Sequence, residues 1–134
     1  MSQENVELIR RGFVAFNARD VEALVAVCAS DCEWMPFRAQ LEGISYRGHD
    51  GIRRFVEDMD QDWHAFRIEP VELHDRGARV VVVGRVIAAG RGSGVEVDSL
   101  AGFVFDVREG RICGLVSHSD PAAAMAALAP DAAG

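Results

Sequence analysis

Ser117-His118-Ser119-Asp120, near the end of this 134-residue chain, is the stretch best suited to chemistry. His118 and Asp120 are two apart, so they share one face if the strand they close continues that far. An Asp that accepts from an imidazole fixes its tautomer and raises its basicity, leaving the other ring nitrogen to move a proton. Gly114 and Val116 have the same parity. Asp120 also precedes Pro121, and an Asp cap followed by Pro is a standard helix start. Both readings of Asp120 stand on the sequence.

Asp98 is the second candidate, a carboxylate inside a strand pattern. Buried among Phe103, Phe105 and Trp34 it would titrate high and serve as a general acid or base; otherwise it faces solvent. Asp98 and Phe103 differ in parity, so they share a face only if a bulge intervenes, for which Gly102 is the natural place. Trp34, Tyr46, Trp63, Phe103 and Phe105, with Val116, are the expected lining of a pocket, and each is equally explained by core packing. Tyr46 could donate to a developing oxyanion or anchor a loop. His49 reads as a turn residue at a helix start. His64 and His74 lack partners at ligand spacing, so no metal is expected. Gly90-Arg91-Gly92-Ser93-Gly94 is followed by no helix and reads as a hairpin turn rather than a phosphate cradle. Cys28, Cys32 and Cys113 are an odd set with apolar neighbours and read as reduced core thiols.

The elements that must position these residues come in a telling order. Val6, Ile9, Phe13 and Phe16, with Val14 at the edge, mark a first helix to about residue 17, which Ser2 can cap. Asp20 caps a second, carrying Val21, Leu24, Val25 and Cys28. A short strand over 32–37 follows, in which Pro36 argues for a strand edge or end. Residues 38–48 read as loop. Asp50 is expected to cap a third helix with Ile52, Phe55, Val56, Met59 and Trp63 on its buried stripe, and Arg53, Arg54, Glu57, Asp58 and Asp62 off it. The period then changes to strands at 66–74, 78–89, 95–107 and 111–119. The run Val80-Val81-Val82-Val83 is typical of a strand buried on both faces. Gly84, Gly102 and Gly114 are expected kinks in these long strands. A short Ala-rich helix over 121–128 closes the pattern and is expected to fray toward Gly134. Helices first and an antiparallel run last make an α+β plan, with helices on the concave face of a bent sheet.

Size and charge narrow the function. The length suits a single domain over 1–134, and 49% apolar residues suffice for a core. Fourteen Lys and Arg stand against 21 Asp and Glu, a net charge of −7, which disfavours nucleic acid. No apolar run reaches membrane-spanning length, and the first residues lack a signal-peptide pattern, so a cytoplasmic location is expected.

Four stretches carry a resemblance. They are residues 1–7 running into Ala15-Phe16-Asn17-Ala18-Arg19-Asp20; Ser30-Asp31-Cys32-Glu33-Trp34; Tyr46-Arg47-Gly48-His49-Asp50-Gly51-Ile52; and Glu109-Gly110-Arg111-Ile112, ending in Asp120. With them the chain resembles the nuclear transport factor 2-like superfamily, which includes ketosteroid isomerase, and within it the SnoaL-like polyketide cyclases. The resemblance implies a conical barrel of a strongly bent, mixed but mostly antiparallel sheet, three helices of the N-terminal half over its concave side, and an apolar pocket. It implies a homodimer through the sheet, and acid/base chemistry without metal or organic cofactor. The position of the ketosteroid isomerase base falls near Pro36, which cannot serve. Where close relatives carry Arg and an aromatic residue along the last strand, Gly114, Val116 and His118 stand here, implying a larger, more apolar pocket. Two functions follow as expectations: a cofactor-free isomerase, cyclase, dehydratase or epoxide hydrolase using His118 and Asp120 on a small apolar substrate, or a module that binds an apolar ligand unchanged.

Overall fold

The computed structural model describes residues 2–128, without the side chains of Ser2 and Arg38; the expected cap at Ser2 and the fraying toward Gly134 lie outside the description. The chain runs α1 (Ser2–Asn17), α2 (Val21–Ala26), β1 (Cys28–Met35), α3 (Phe37–Glu42), β2 (Tyr46–Arg47), α4 (Gly48–Asp62), β3 (Trp63–Asp75), β4 (Arg79–Gly90), β5 (Glu96–Arg108), β6 (Arg111–His118) and α5 (Pro121–Met125), which a 3-10 turn extends through Ala126–Leu128. Six strands form one mixed sheet in the order β2-β1-β6-β5-β4-β3. The β1–β6 pair is parallel and the others are antiparallel. The sheet does not close, so β2 and β3 are its edges.

Helices α1, α2 and α4 cover one face. Ile9, Phe13 and Phe16 of α1, Leu24 and Val25 of α2, and Ile52 and Val56 of α4 share one buried core with Val80, Val82, Phe103, Phe105 and Ile112 of the sheet. Val81 and Val104 point the other way and are covered by Ala124 of α5. The valine run is thus buried on both faces because each face has its own helical cover. Val14, expected at the edge of the buried stripe, is 69% exposed. The break after α1 is held by side chains. Asn17 donates to Ile68 O at 2.8 Å and accepts from Ile68 N at 3.0 Å, imitating a strand partner. Arg19 bonds Phe16 O, Phe66 O and Asp60, which ties α1 to β3 and α4. Asp20 caps α2 by accepting from Ala23 N.

Several expectations are corrected. The first strand begins at Cys28 and ends at Met35, so Cys28 belongs to β1 rather than to the second helix. Four helices precede the long strands, not three, because the presumed loop contains α3 and the short strand β2. Pro36 sits at the N-cap of α3, and Gly43 ends that helix at φ +71°, a left-handed conformation that Gly adopts without a Cβ clash. Arg47, not Asp50, is the cap residue of α4; Asp50 lies in its first turn. Of the three expected kinks, Gly84 lies opposite the β3 bulge and Gly114 beside the β6 bulge, whereas Gly102 has none. The β4–β5 register runs unbroken past Gly84 and Gly102. Register shifts between Pro70 and Glu72 in β3, where Pro70 faces Gly84, between Asp106 and Val107 of β5, where Asp106 faces Gly114, and also between Trp63 and Ala65 in β3 and between Cys28 and Glu33 in β1. Gly102 serves packing instead: a Cβ there would run into Ala124 of α5.

Candidate functional site

Between the helices and the concave face of the sheet lies a cavity of about 620 Å³. Its wall is aromatic because register puts large residues of successive strands on one face. Trp34 of β1 stands opposite Tyr46 of β2 on one side and Leu115 of β6 on the other, and Leu115 stands opposite Phe105 of β5. Phe13 packs edge-on to Phe103 and Phe105 at 5.9 and 5.6 Å between ring centres. Phe55 of α4 packs edge-on to Trp34 and Tyr46 at 5.4 Å and stacks on Phe16 at 6.0 Å. Such pairs contribute about 0.5–1.5 kcal/mol each beyond the area they bury. Helix α3 closes one side through Phe37 and Ala39, held in place by Gln40, whose side-chain amide donates to Met35 O and Ser117 O at 3.0 and 2.8 Å. The Trp34 indole N–H is fully buried with no acceptor and is closed even to water.

The principal polar feature of the wall is a pair that the sequence reading did not join. Tyr46 Oη donates to Asp58 Oδ2 at 2.6 Å, and both residues line the cavity. Burial, and then the hydrogen bond to Asp58, push the phenol's pKa up to about 12, so Tyr46 stays protonated across the physiological range. Asp58 is off the apolar stripe of α4, which reads as solvent-facing; the missing signal is β2, whose pairing with β1 lays Tyr46 beside that helix. Glu42, Arg54 and Asp62 also reach the wall.

The expected site residues divide. Trp34, Tyr46, Trp63, Phe103 and Phe105 line the cavity, and His118 lies on its border between Ser117 and Ser119. Asp98, Val116 and Asp120 do not line it. Asp98 pairs with Ile87 in an unbroken ladder, which leaves it on the face opposite Phe103. There it is exposed and held by both Arg85 nitrogens at 2.7 Å, which keeps its carboxyl below the ordinary value rather than above it. Val116 pairs with Val104, on the α5 side of the sheet. Gly114 is on that side too, since a Cβ there would meet Asp106. Neither replacement therefore enlarges the cavity. His118 is opposite Gly102 in the register, so its side chain also starts toward α5, and Ile112, Leu115 and Ser117 are the β6 residues turned inward. Asp120 is exposed and accepts from Ala122 N at 2.9 Å, capping α5; among the described residues no hydrogen bond joins it to His118. Pro36 lines the cavity without offering an ionisable group. Cys28 and Cys32 are buried and hydrogen-bonded to each other, which, with burial, holds the Cys28 thiol up. No described helix is long and apolar enough to cross a membrane.

The profile of the SnoaL-like domain matches residues 9–115. No curated protein matches the chain. Solved structures do. An NTF2-like protein of unknown function from Burkholderia pseudomallei is 24% identical with a TM-score of 0.78, over 92% of this chain and 95% of that one. TerC, co-crystallised with polyporic acid, is 24% identical with a TM-score of 0.78, over 90% and 94%. A candidate polyketide cyclase from Pseudomonas putida is 20% identical with a TM-score of 0.73, over 85% and 90%. At these identities the likeness establishes the fold.

Proposed function

The chain belongs to the SnoaL-like domain family, and from that premise we propose that it is a small-molecule pocket protein whose cavity takes up a compact, mostly apolar molecule. The carrying observation is the aromatic-walled void of about 620 Å³, which the protein's own side chains leave unfilled. That size is ordinary for a ligand site, and apolar walls with a few placed polar groups are the usual composition. The test is a thermal-shift screen of small aromatic compounds. A saturable rise in Tm is expected, and no rise across a broad panel would leave a structural role.

A second reading makes the site a cofactor-free acid/base enzyme of isomerase, cyclase, dehydratase or epoxide hydrolase type. A carboxylate on the cavity wall, Asp58, supports it, with His118 at the cavity's border, whose imidazole would turn in from the α5 side of the sheet. His118→Ala and Asp58→Asn should then each lower turnover of the bound compound at least about a hundredfold, the usual size of a lost acid/base group. Asp120→Asn should leave turnover intact, because Asn caps a helix about as well as Asp. A ligand recovered chemically unchanged, with binding intact, would leave the module that only binds. A homodimer through the outer face of the sheet and a cytoplasmic setting complete the proposal. Leu100, 49% exposed and facing outward beside Arg85, is an apolar residue such an interface would cover.

A further inference from the structure

Cys28 and Cys32 take no part in the cavity wall, yet the structure brings them together. Four residues apart in a regular strand, their Cα atoms would stand about 13 Å from each other. Strand β1 is not regular there. Between its pairings of Cys28 with Ile112 and Glu33 with Gly114 it advances five residues while β6 advances two, so residues 29–32 have no partner in that ladder. The surplus folds outward. Ser30 and Asp31 are exposed and Ala29 is half-buried, while the two thiols turn in beneath them and hydrogen-bond to each other.

The two sulfurs are not equivalent. Cys28 donates its S–H to Cys32, whose sulfur also accepts from Gly48 N–H at the start of α4. These donors hold the Cys32 thiol below its ordinary value against the effect of burial, and Cys28, as the donor, is held up. A sulfur that receives two donors is the better-stabilised thiolate, and the thiolate is the nucleophile. Cys113, the third cysteine, is half-buried, and burial pushes its thiol up. The cover over the pair is thin and lightly fastened. Arg108 holds Asp31 from outside at 2.7 Å, with both side chains more than half exposed, and His49 Nε2 lies 2.9 Å from Cys28 O. An exposed ion pair of that kind contributes little, so residues 29–31 can open locally and admit a small reagent.

We propose that Cys28 and Cys32 form a reversible disulfide site, with Cys32 as the attacking thiol and a small hydroperoxide as the oxidant. The Cys32 sulfur attacks the peroxide O–O bond, its proton passes to the departing alkoxide or hydroxide, and it becomes a sulfenic acid. The Cys28 thiol then attacks that sulfur, the S–S bond forms and the sulfenic oxygen leaves as water. Two thiols are oxidised, and one peroxide is reduced to an alcohol and water, or to two waters. The ring closes within residues 28–32, so no pairing of β1 with β6 has to break. The site is independent of what the cavity binds.

The test treats the whole folded protein with a small excess of hydrogen peroxide, alkylates the remaining thiols after denaturation and digests with trypsin. Cleavage after Arg19, Arg38 and Arg111 leaves Cys28 and Cys32 together in peptide 20–38 and Cys113 in another. Peptide 20–38 should lose the mass of two hydrogens and escape alkylation at least about tenfold faster than Cys113 is consumed, and dithiothreitol should restore it. Cys28→Ser should leave a sulfenic acid at Cys32 that dimedone traps, whereas Cys32→Ser should leave Cys28 reduced. Thiols of 20–38 that stay alkylatable under peroxide that oxidises free cysteine, a disulfide that includes Cys113, or dimedone on Cys28 in the Cys32→Ser protein would overturn the proposal. The wild-type digest decides the matter even where a variant at these buried positions does not fold.

Discussion

Tyr46 is the sole tyrosine of the chain, so its ionisation can be followed directly by ultraviolet absorbance. Its pKa is pushed up to about 12, first by burial and second by the hydrogen bond to Asp58. A group whose folded value is raised stabilises the fold fully below the unfolded value, about 10 for a phenol, and loses that contribution as pH climbs through about 12. A tyrosinate titration of the native protein should therefore have its midpoint near 12. Asp58→Asn should lower the midpoint without returning it to the unfolded value, because burial persists. An ordinary midpoint in the folded wild type would refute the pairing. Asn17 is a second residue whose type decides its role. Its amide meets both the N–H and the carbonyl of Ile68, which neither Asp nor Ala could do. Asn17→Ala leaves two half-buried backbone groups unpaired and should cost about 1–3 kcal/mol in urea unfolding.

At the scale of elements, the tail helix shows how a small residue sets a contact. Helix α5 has only five residues, too short to stand by itself. It persists because Ala124 fits against the bare backbone of Gly102, over Val81 and Val104, and because Asp120 caps its start. Gly102→Ala should lower stability by about 1–3 kcal/mol through overpacking. The same variant should speed proteolysis within 121–128, and an unchanged digestion pattern would show that the helix does not depend on this contact. Helix α3 is a similar case on the other side of the sheet. Phe37, Leu41 and Ile44 around it are 45%, 74% and 47% exposed, so it is anchored mainly through Gln40 and the Gly43 end rather than by an apolar face.

For the molecule as a whole, a ligand in the cavity binds the folded chain and not the unfolded one. At about a hundredfold excess over Kd it should stabilise by about 2.7 kcal/mol, roughly 10 °C in Tm for a chain of this length. The rise should grow with the logarithm of ligand concentration. A rise that ignores concentration would mean non-specific association. Sedimentation mass tests the proposed pairing of sheets, and a monomer at high concentration would remove it.

The order of segments apart from α3 and β2, the helix stripes and the double burial of Val80–Val83 were legible in the sequence, because hydrophobic period is a local property of the chain. So were the caps at Asp20 and Asp120, where one side chain and the amides just after it decide the outcome. Five expected aromatic residues do line the cavity, since bulk at alternate strand positions marks one face. Which face of the last strand turns inward was not legible. Val116, His118 and Asp120 share parity as expected, but a parity is only relative until a neighbouring strand fixes it, and the pairing with Gly102 and Val104 assigns that set to the side of α5. Asp98 went the same way once the expected bulge at Gly102 was absent and Arg85 lay across from it. The Tyr46–Asp58 pair joins β2 to α4 across a gap of twelve residues, and nothing local distinguishes Asp58 from the other acids of that helix. Local physics set the elements and their faces, whereas long-range pairing alone decided which polar groups meet in the cavity.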